Sequence, residues 1–427
     1  MSSIRDRMNK LRGLTGDNGP VEQREEAVPL VLADEAEELS SSWEPLGVRM
    51  LQNDWGSFLI RRRVYPLPYR HGHHQLSDLH LYAPGLNAFH PGQPAISAGQ
   101  ILFLDLETTG LGVGTGNVPF MTGIAYVEEE RFVIEQLLIR HPAEERAMLA
   151  HLKQRVERHS YLATYNGKTF DWPVLAGRYI MNGLGRAMAD PKHLDFLHPS
   201  RSIWRNTLAS CRLSHVEEER LGIFRVNDLP GSEAPARYFR FLSDNDPGPL
   251  AEVFTHNELD MLALACLAVR FGLLLGGGLG TALEYPEGSE ELLRTGLWLE
   301  RMGMQEEAER LYDRLIHTDP SPSWCLPLAA RDKKCGNWQR AVLLWQKAAN
   351  SAEQSQLPVN DAHIELAMYF EHRSKDYERA LHYTEHALEL AMKRLSLYRN
   401  DPKRRSEVDA IRKRIERLRR KAGRYHA

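Results

Sequence analysis

The sequence predicts an α/β domain over residues 99–271, followed by an all-α domain over 289–427, with a glycine-rich linker at 272–288 between them. Three observations support this division. From Gly99 to about Phe271, short apolar runs bounded by turn residues alternate with segments of helical period, the pattern of a strand–helix framework. Gly272, Gly276, Gly277, Gly278, Gly280 and Gly288, with Pro286, then interrupt regular structure. Beyond them one helical phrase recurs three times. A chain of 427 residues is too long for one ordinary domain, which agrees with this division.

Composition narrows the class. Hydrophobic residues at 42% and charged residues at 26% describe a globular protein. No apolar run reaches the roughly 18 residues of a membrane span, so no membrane association is expected. The opening MSSIRDRMNKLRGL has no apolar stretch of the kind a signal peptide carries. The four cysteines (Cys211, Cys266, Cys325, Cys335) form no C-x-x-C pair, which argues against a disulfide framework or a zinc knuckle. A cytoplasmic location is expected. The net charge of −3 gives no overall attraction for nucleic acid, so local charge decides.

Along the chain, residues 1–45 are expected to be acidic and loosely ordered, with one short helix near Ile4–Leu14. Residues 46–98 read as an extension packed on the α/β domain. Within it, Trp55–Ile60 and Arg61-Arg62-Arg63 suggest an edge hairpin with a basic face. Arg70-His71-Gly72-His73-His74 lacks regular metal-ligand spacing and reads more readily as a nucleic-acid-facing basic patch. Ile101–Gly110, ILFLDLETTG, reads as a buried strand ending in a turn. Side chains alternate on a strand, so Asp105 and Glu107 share one face. Two adjacent carboxylates there repel each other, and a divalent cation is the usual remedy, although solvation alone would also accommodate such a pair.

Gly112, Gly114 and Gly116 follow without the Lys-Ser or Lys-Thr of a phosphate-binding loop, and are read as a turn leaving room for a substrate backbone. Val118–Val127 and Phe132–Leu138 read as a hairpin, Glu144–His159 as a helix and Tyr161–Tyr165 as a further strand. Asn166 is placed as a helix N-cap, with Asp171 in or near the first turn, where the helix dipole favours its ionised form. Arg201 and Arg205 lie four apart on one helix face, suited either to phosphates or to Glu217–Glu219. Phe254–Phe271 is a largely apolar helix whose His256 and Asp260 project together.

In the C-terminal region Ala308, Ala341 and Ala380 head the three copies of the helical phrase at intervals of 33 and 39 residues. Ala348 and Ala387 recur seven residues later in two copies, with Leu315 in the first. A period near 34 resembles the tetratricopeptide repeat. Pro402–Ala427 carries eleven Lys or Arg against three acids, and reads either as a solvated capping helix or as a phosphate-attracting arm.

The acids and the histidine also occur in a characteristic order. D-L-E-T-T-G at Asp105–Gly110, N-x-x-x-F-D at Asn166–Asp171 and H-N-x-x-D at His256–Asp260 resemble the DEDD superfamily of 3′–5′ exonucleases, built on a ribonuclease-H-like fold. YNGKTFDWP, DFLHPSR and the stretch Asn227–Pro235 are similar to the YprB-like family, in which this nuclease domain precedes tetratricopeptide repeats. One departure stands out. His256 precedes Asp260 by four positions, the spacing of the tyrosine branch of the superfamily, whereas the histidine branch has five.

The resemblance implies a metal-dependent exonuclease acting on DNA in damage repair, with two Mg²⁺ or Mn²⁺ ions about 4 Å apart. It implies Asp105, Glu107, Asp171 and Asp260 as metal ligands and His256 as the group that orients or deprotonates water. Thr108, Asn166, Lys168, Arg201 and Arg205 would contact the nucleic acid. The repeats would receive a protein partner such as a repair helicase. RNA in place of DNA, and a non-catalytic scaffold acting through the repeats, are the alternatives. Glycoside hydrolysis also uses paired acids but requires neither the third and fourth carboxylates nor the histidine.

Overall fold

The computed structural model describes residues 39–110, 112, 116–185, 190–318, 323–353, 359–397 and 401–425. The expected acidic segment up to residue 38, its short helix near Ile4–Leu14, and Gly114 lie outside the described residues.

Seven strands form one sheet. Val48–Asn53 (β1) and Gly56–Pro66 (β2) make a hairpin with β1 at one edge, so Ile60 and Arg61–Arg63 lie together on the single strand β2. Ile101–Thr108 (β3), Pro119–Glu128 (β4), Arg131–Leu138 (β5), Tyr161–Thr164 (β6) and Lys192–Asp195 (β7) follow. The spatial order is β1-β2-β5-β4-β3-β6-β7. β3 to β5 form an antiparallel meander, and β6 and β7 continue in parallel beyond β3. The β4–β5 turn carries Glu129 at φ 53°.

The period of two on β3 sorts its side chains into two cores. Leu102, Leu104 and Leu106 pack with Met148 and Leu152 of Glu145–Arg158 (α1). Ile101 and Phe103 face the other way, toward Met261 and Ala265 of Leu250–Leu275 (α5). Each such fully buried large side chain contributes about 1.5–3 kcal/mol. Asp105 and Glu107 continue the α5 side of that alternation, so the same pattern that builds the core aims both acids toward α5. Among the other helices of this region are Asp171–Met181 (α2), Leu197–Trp204 (α3) and Ala234–Asp244 (α4).

α5 is buried on almost every side and runs four residues past the expected end at Phe271. A Cβ on Gly272 would lie 2.2 Å from the Tyr82 carbonyl oxygen, and one on Gly85 would lie 2.2 Å from the Gly272 carbonyl oxygen. Gly272 therefore serves close packing of α5 against the segment around residues 82–89. The His-rich stretch is partly buried. His71 and His74 belong to a two-residue ladder packed beneath Leu221 and α5. Burial lowers their pKa values to about 4 and about 3, which favours the neutral imidazole at both, while Arg70 and His73 of the same stretch are exposed.

The C-terminal region is a series of helix pairs: Ser289–Arg301 (α6) with Gln305–Thr318 (α7), Cys325–Cys335 (α8) with Trp338–Glu353 (α9), and Asp361–Tyr369 (α10) with Tyr377–Leu397 (α11). Ala308, Ala341 and Ala380, from the three sequence copies, are all fully buried in α7, α9 and α11. On α6, a Cβ at Gly296 would meet the Tyr312 ring at 2.6 Å. The apolar core is continuous with that of the α/β region: the Phe271 and Trp298 rings are 5.6 Å apart, and Trp204 Nε1 donates to Glu291 at 2.8 Å. Pro402–Tyr425 (α12) lays Val408, Ile411 and Ile415 against α11. Its Arg417 and Lys421 both donate to the buried Glu371, so part of its charge is structural.

Candidate active site

β3 and β4 set the first two acids. Asp105 pairs in register with Gly123, and Glu107 with Met121, ahead of a bulge between Glu107 and Thr108. Gly123 is required by the close approach of Asn257 from α5, because a Cβ there would lie 2.1 Å from Asn257 Oδ1. Gln136 Nε2 donates to that Oδ1 at 3.0 Å and to the Phe254 carbonyl at 2.7 Å. This leaves Asn257 Nδ2 to donate to Asp105 Oδ2 at 3.1 Å. A chain of neutral amides thus fixes one oxygen of Asp105.

The loop after β6 delivers Asp171. Asn166 adopts φ 73°, and the helix begins only at Asp171, so Asn166 shapes a left-handed turn and is not the expected N-cap. The Asp195 carboxylate, at the end of β7, accepts the backbone N–H groups of Asn166, Lys168 and Leu197 at 2.9–3.1 Å. Asp195 is the acid of DFLHPSR, and its part in holding this loop was not anticipated. Asp171, the first residue of α2, is buried.

The third contribution comes from α5 and from residues 217–231. His256 Nε2 lies 3.5 Å from Asp260 Oδ2, one turn along the helix. Its Nδ1 meets both Asp228 oxygens at 2.9 and 3.0 Å. Arg225, almost fully buried, hydrogen-bonds Asp260, donates through Nη1 to Asp228 at 2.9 Å and donates through Nε to Glu217 at 2.7 Å. Glu217, Arg225 and Asp228 are site residues that the motifs did not single out. The sequence pointed to this region only through the stretch Asn227–Pro235 and through Glu217–Glu219 as possible arginine partners.

Donor atoms of Glu107, His256 and Asp260 all lie within 4.8 Å of one another. Asp105 and Asp171 complete the acidic surround. Burial pushes the Asp105 carboxyl well above the usual range, and Asp260 and Asp171 push it further. Burial does the same to Glu107, reinforced first by Asp105. Asp171 is raised to about 7, again by burial, against backbone hydrogen bonds that favour its charged form. At His256 burial opposes the charged form, but Asp260 and the Asp228 hydrogen bond outweigh it and raise the pKa. Three buried acids and the half-buried Asp105 held against one another, with oxygen donors and one imidazole close together, fit a hard divalent cation. One guanidinium is not enough charge to neutralise them.

The remaining site residues expected from sequence fall into two groups. Thr108 is buried and its hydroxyl donates to the Gly110 carbonyl at 2.7 Å, and Asn166 Oδ1 accepts from the Thr169 hydroxyl. Both side chains also take part in local turns. Lys168, Arg201 and Arg205 are exposed and have no carboxylate partner among the described residues. Glu217 takes Arg225 instead, so the alternative pairing of Arg201 and Arg205 with Glu217–Glu219 does not form.

A family model of the RNase_H superfamily matches residues 102–271. A Bacillus subtilis protein, carrying the name "Uncharacterized protein YprB", is 34% identical over 354 residues, covering 81% of this chain and 84% of its own length. The chain belongs to the YprB family. Its α/β region has a ribonuclease H-like fold, with the three central antiparallel strands and two parallel additions described above, and an all-helical region follows. That superfamily points to hydrolysis of nucleic acid, and divalent metals are typical of its sites. Among the described residues no helix is long and apolar enough to cross a membrane.

Proposed function

We propose that the chain is a metal-dependent 3′–5′ exonuclease that hydrolyses phosphodiester bonds of DNA and acts in damage repair. The observation that carries this is convergence. β3, the start of α2 and the middle of α5 are far apart in sequence, yet donor atoms of Glu107, His256 and Asp260 come within 4.8 Å of one another, with Asp105 and Asp171 close enough to act on the same charges. In this reading Asp105, Glu107, Asp171 and Asp260 hold two Mg²⁺ or Mn²⁺ ions. When bound, such ions supply an activated water and neutralise charge on the leaving oxygen. His256 Nε2, one helical turn from Asp260, accepts the proton of the attacking water. Lys168, Arg201 and Arg205 receive phosphates of the strand being shortened. Nucleoside 5′-monophosphates are the products.

The helix pairs after residue 288 act as tetratricopeptide-like repeats and receive a protein partner such as a repair helicase. Four free cysteines fit a cytoplasmic location. The test is digestion of 5′-labelled single-stranded and duplex DNA, with matched RNA, in Mg²⁺, Mn²⁺ or EDTA. A ladder receding from the 3′ end of DNA, lost in EDTA, is expected. Preferential degradation of RNA would reassign the substrate, and no cleavage in either metal would overturn the enzyme reading.

A further inference from the structure

His256 has a second feature that its place among the acids does not explain: three residues of one loop converge on its ring. Asp228 sits at Nδ1, with both oxygens within hydrogen-bond distance. Arg225 Nη1 is also near Nδ1, but at 3.4 Å and with a 2.9 Å bond to Asp228. A carboxylate can only accept, so the closer and better placed contact puts a proton on Nδ1. Gly231 stands at the opposite nitrogen. A Cβ there would lie 3.3 Å from Nε2, tighter than ordinary packing, so glycine keeps the backbone from crowding that nitrogen, whose other neighbour is Asp260 Oδ2 at 3.5 Å, farther than Asp228 is from Nδ1. Arg225 joins the two ends of the arrangement, since the same guanidinium hydrogen-bonds Asp228 and Asp260 and is itself gripped by the fully buried Glu217.

We infer that Arg225, Asp228 and Gly231 are positioning residues for His256: Asp228 fixes the tautomer with Nδ1 protonated, Gly231 keeps Nε2 accessible, and Arg225 holds Asp228 and Asp260 in register. The inference rests on the proposed hydrolytic role for its kinetic consequence, but not for its structural one. A general base must present an unprotonated nitrogen to the water, and the tautomer is set by the hydrogen bond the other nitrogen makes. The arrangement also bears on the four-residue spacing between His256 and Asp260. Both side chains rise from one face of α5, so helix geometry alone leaves the imidazole free to rotate, and the Arg225–Gly231 segment supplies the constraint from outside the helix.

Two readouts test this on the full-length protein. The first needs no activity. Long-range ¹H–¹⁵N spectra of ¹⁵N-histidine-labelled, metal-free protein, in a buffer alkaline enough to neutralise the imidazole, report which nitrogen carries the proton, with His256 assigned by loss of its signals in His256→Gln. Wild type should show the Nδ1-protonated form, and Asp228→Ala a mixture. Asp228→Asn, which keeps the side chain's volume, should lie between them. An Nε2-protonated wild type, or an Asp228→Ala spectrum unchanged from wild type, would overturn the inference.

The second readout is kinetic. Asp228→Ala should lower kcat about 10–100-fold, the usual cost of losing an orienting partner, with KM and the Mn²⁺ dissociation constant unchanged. It should cost nothing further in a His256→Gln background, because the two residues then act as one unit. Additive losses in the double variant would overturn the inference. If wild type cleaves no substrate, the hydrolytic reading fails while the tautomer measurement still decides the positioning claim.

Discussion

Replacing Asp171 by Asn should make the metal-free protein more stable at neutral pH. Asp171 is 5% exposed, and burial raises its pKa to about 7. In the unfolded chain the same group titrates near 3.9. Its folded pKa is the higher of the two, so the folded state binds more protons between them. Stability that is fully present below about pH 4 is therefore lost as the pH rises toward about 7. A difference of about three pKa units corresponds to at most about 4 kcal/mol. Asp105 and Glu107, both raised by burial and by their neighbours, act in the same direction. Asparagine keeps the shape and removes the charge. In EDTA the thermal midpoint of Asp171→Asn should match wild type near about pH 4 and exceed it near about pH 8. Added Mn²⁺ should raise the wild-type midpoint more than that of the variant. A variant no more stable than wild type at the higher pH would show that the site carries no uncompensated charge, and would refute the electrostatic reasoning.

Three other outcomes follow from the same geometry. Changing Lys168, Arg201 and Arg205 together to Glu should weaken binding of single-stranded DNA and flatten its dependence on salt by about 2 in log–log slope, at roughly 0.7 per phosphate contact, as read by fluorescence anisotropy across a salt series. Gly123→Ala would place a methyl group 2.1 Å from Asn257 Oδ1, and should cost about 1–3 kcal/mol in urea denaturation while disturbing the Asn257–Asp105 hydrogen bond. Glu371→Gln should loosen α12 by weakening the grip on Arg417 and Lys421, read as faster amide exchange over residues 402–425 with little change in the sheet.

The parts of this protein that sequence made legible are those governed by short periods. Alternation on β3 placed Asp105 and Glu107 on one face, and the i, i+4 relation placed His256 beside Asp260. The recurring alanines marked the tight helix contacts at Ala308, Ala341 and Ala380. What stayed hidden depends on contacts across the fold. Nothing local to Arg225 indicates that its guanidinium reaches Glu217, Asp228 and Asp260. Asn166 has the residue type of a helix cap, but Asp195, from a different strand, draws its backbone into another turn. Gly272 looked like the start of a linker because glycine signals both flexibility and close approach, and only the neighbouring Tyr82 carbonyl distinguishes the two. The burial of His71 and His74 beneath Leu221 and α5 likewise depends on contacts across the fold.

The central claim, that the acids on β3, α2 and α5 form a divalent-metal site that cleaves phosphodiesters, is tested most directly by comparing wild type with Asp105→Ala. Mn²⁺ binding by electron paramagnetic resonance and cleavage of a 5′-labelled oligonucleotide would be measured on the same samples, with folding checked by circular dichroism. The account predicts a folded variant that binds Mn²⁺ more weakly and loses at least about 10³-fold in cleavage rate. A folded Asp105→Ala protein that binds Mn²⁺ and cleaves as wild type does would contradict it.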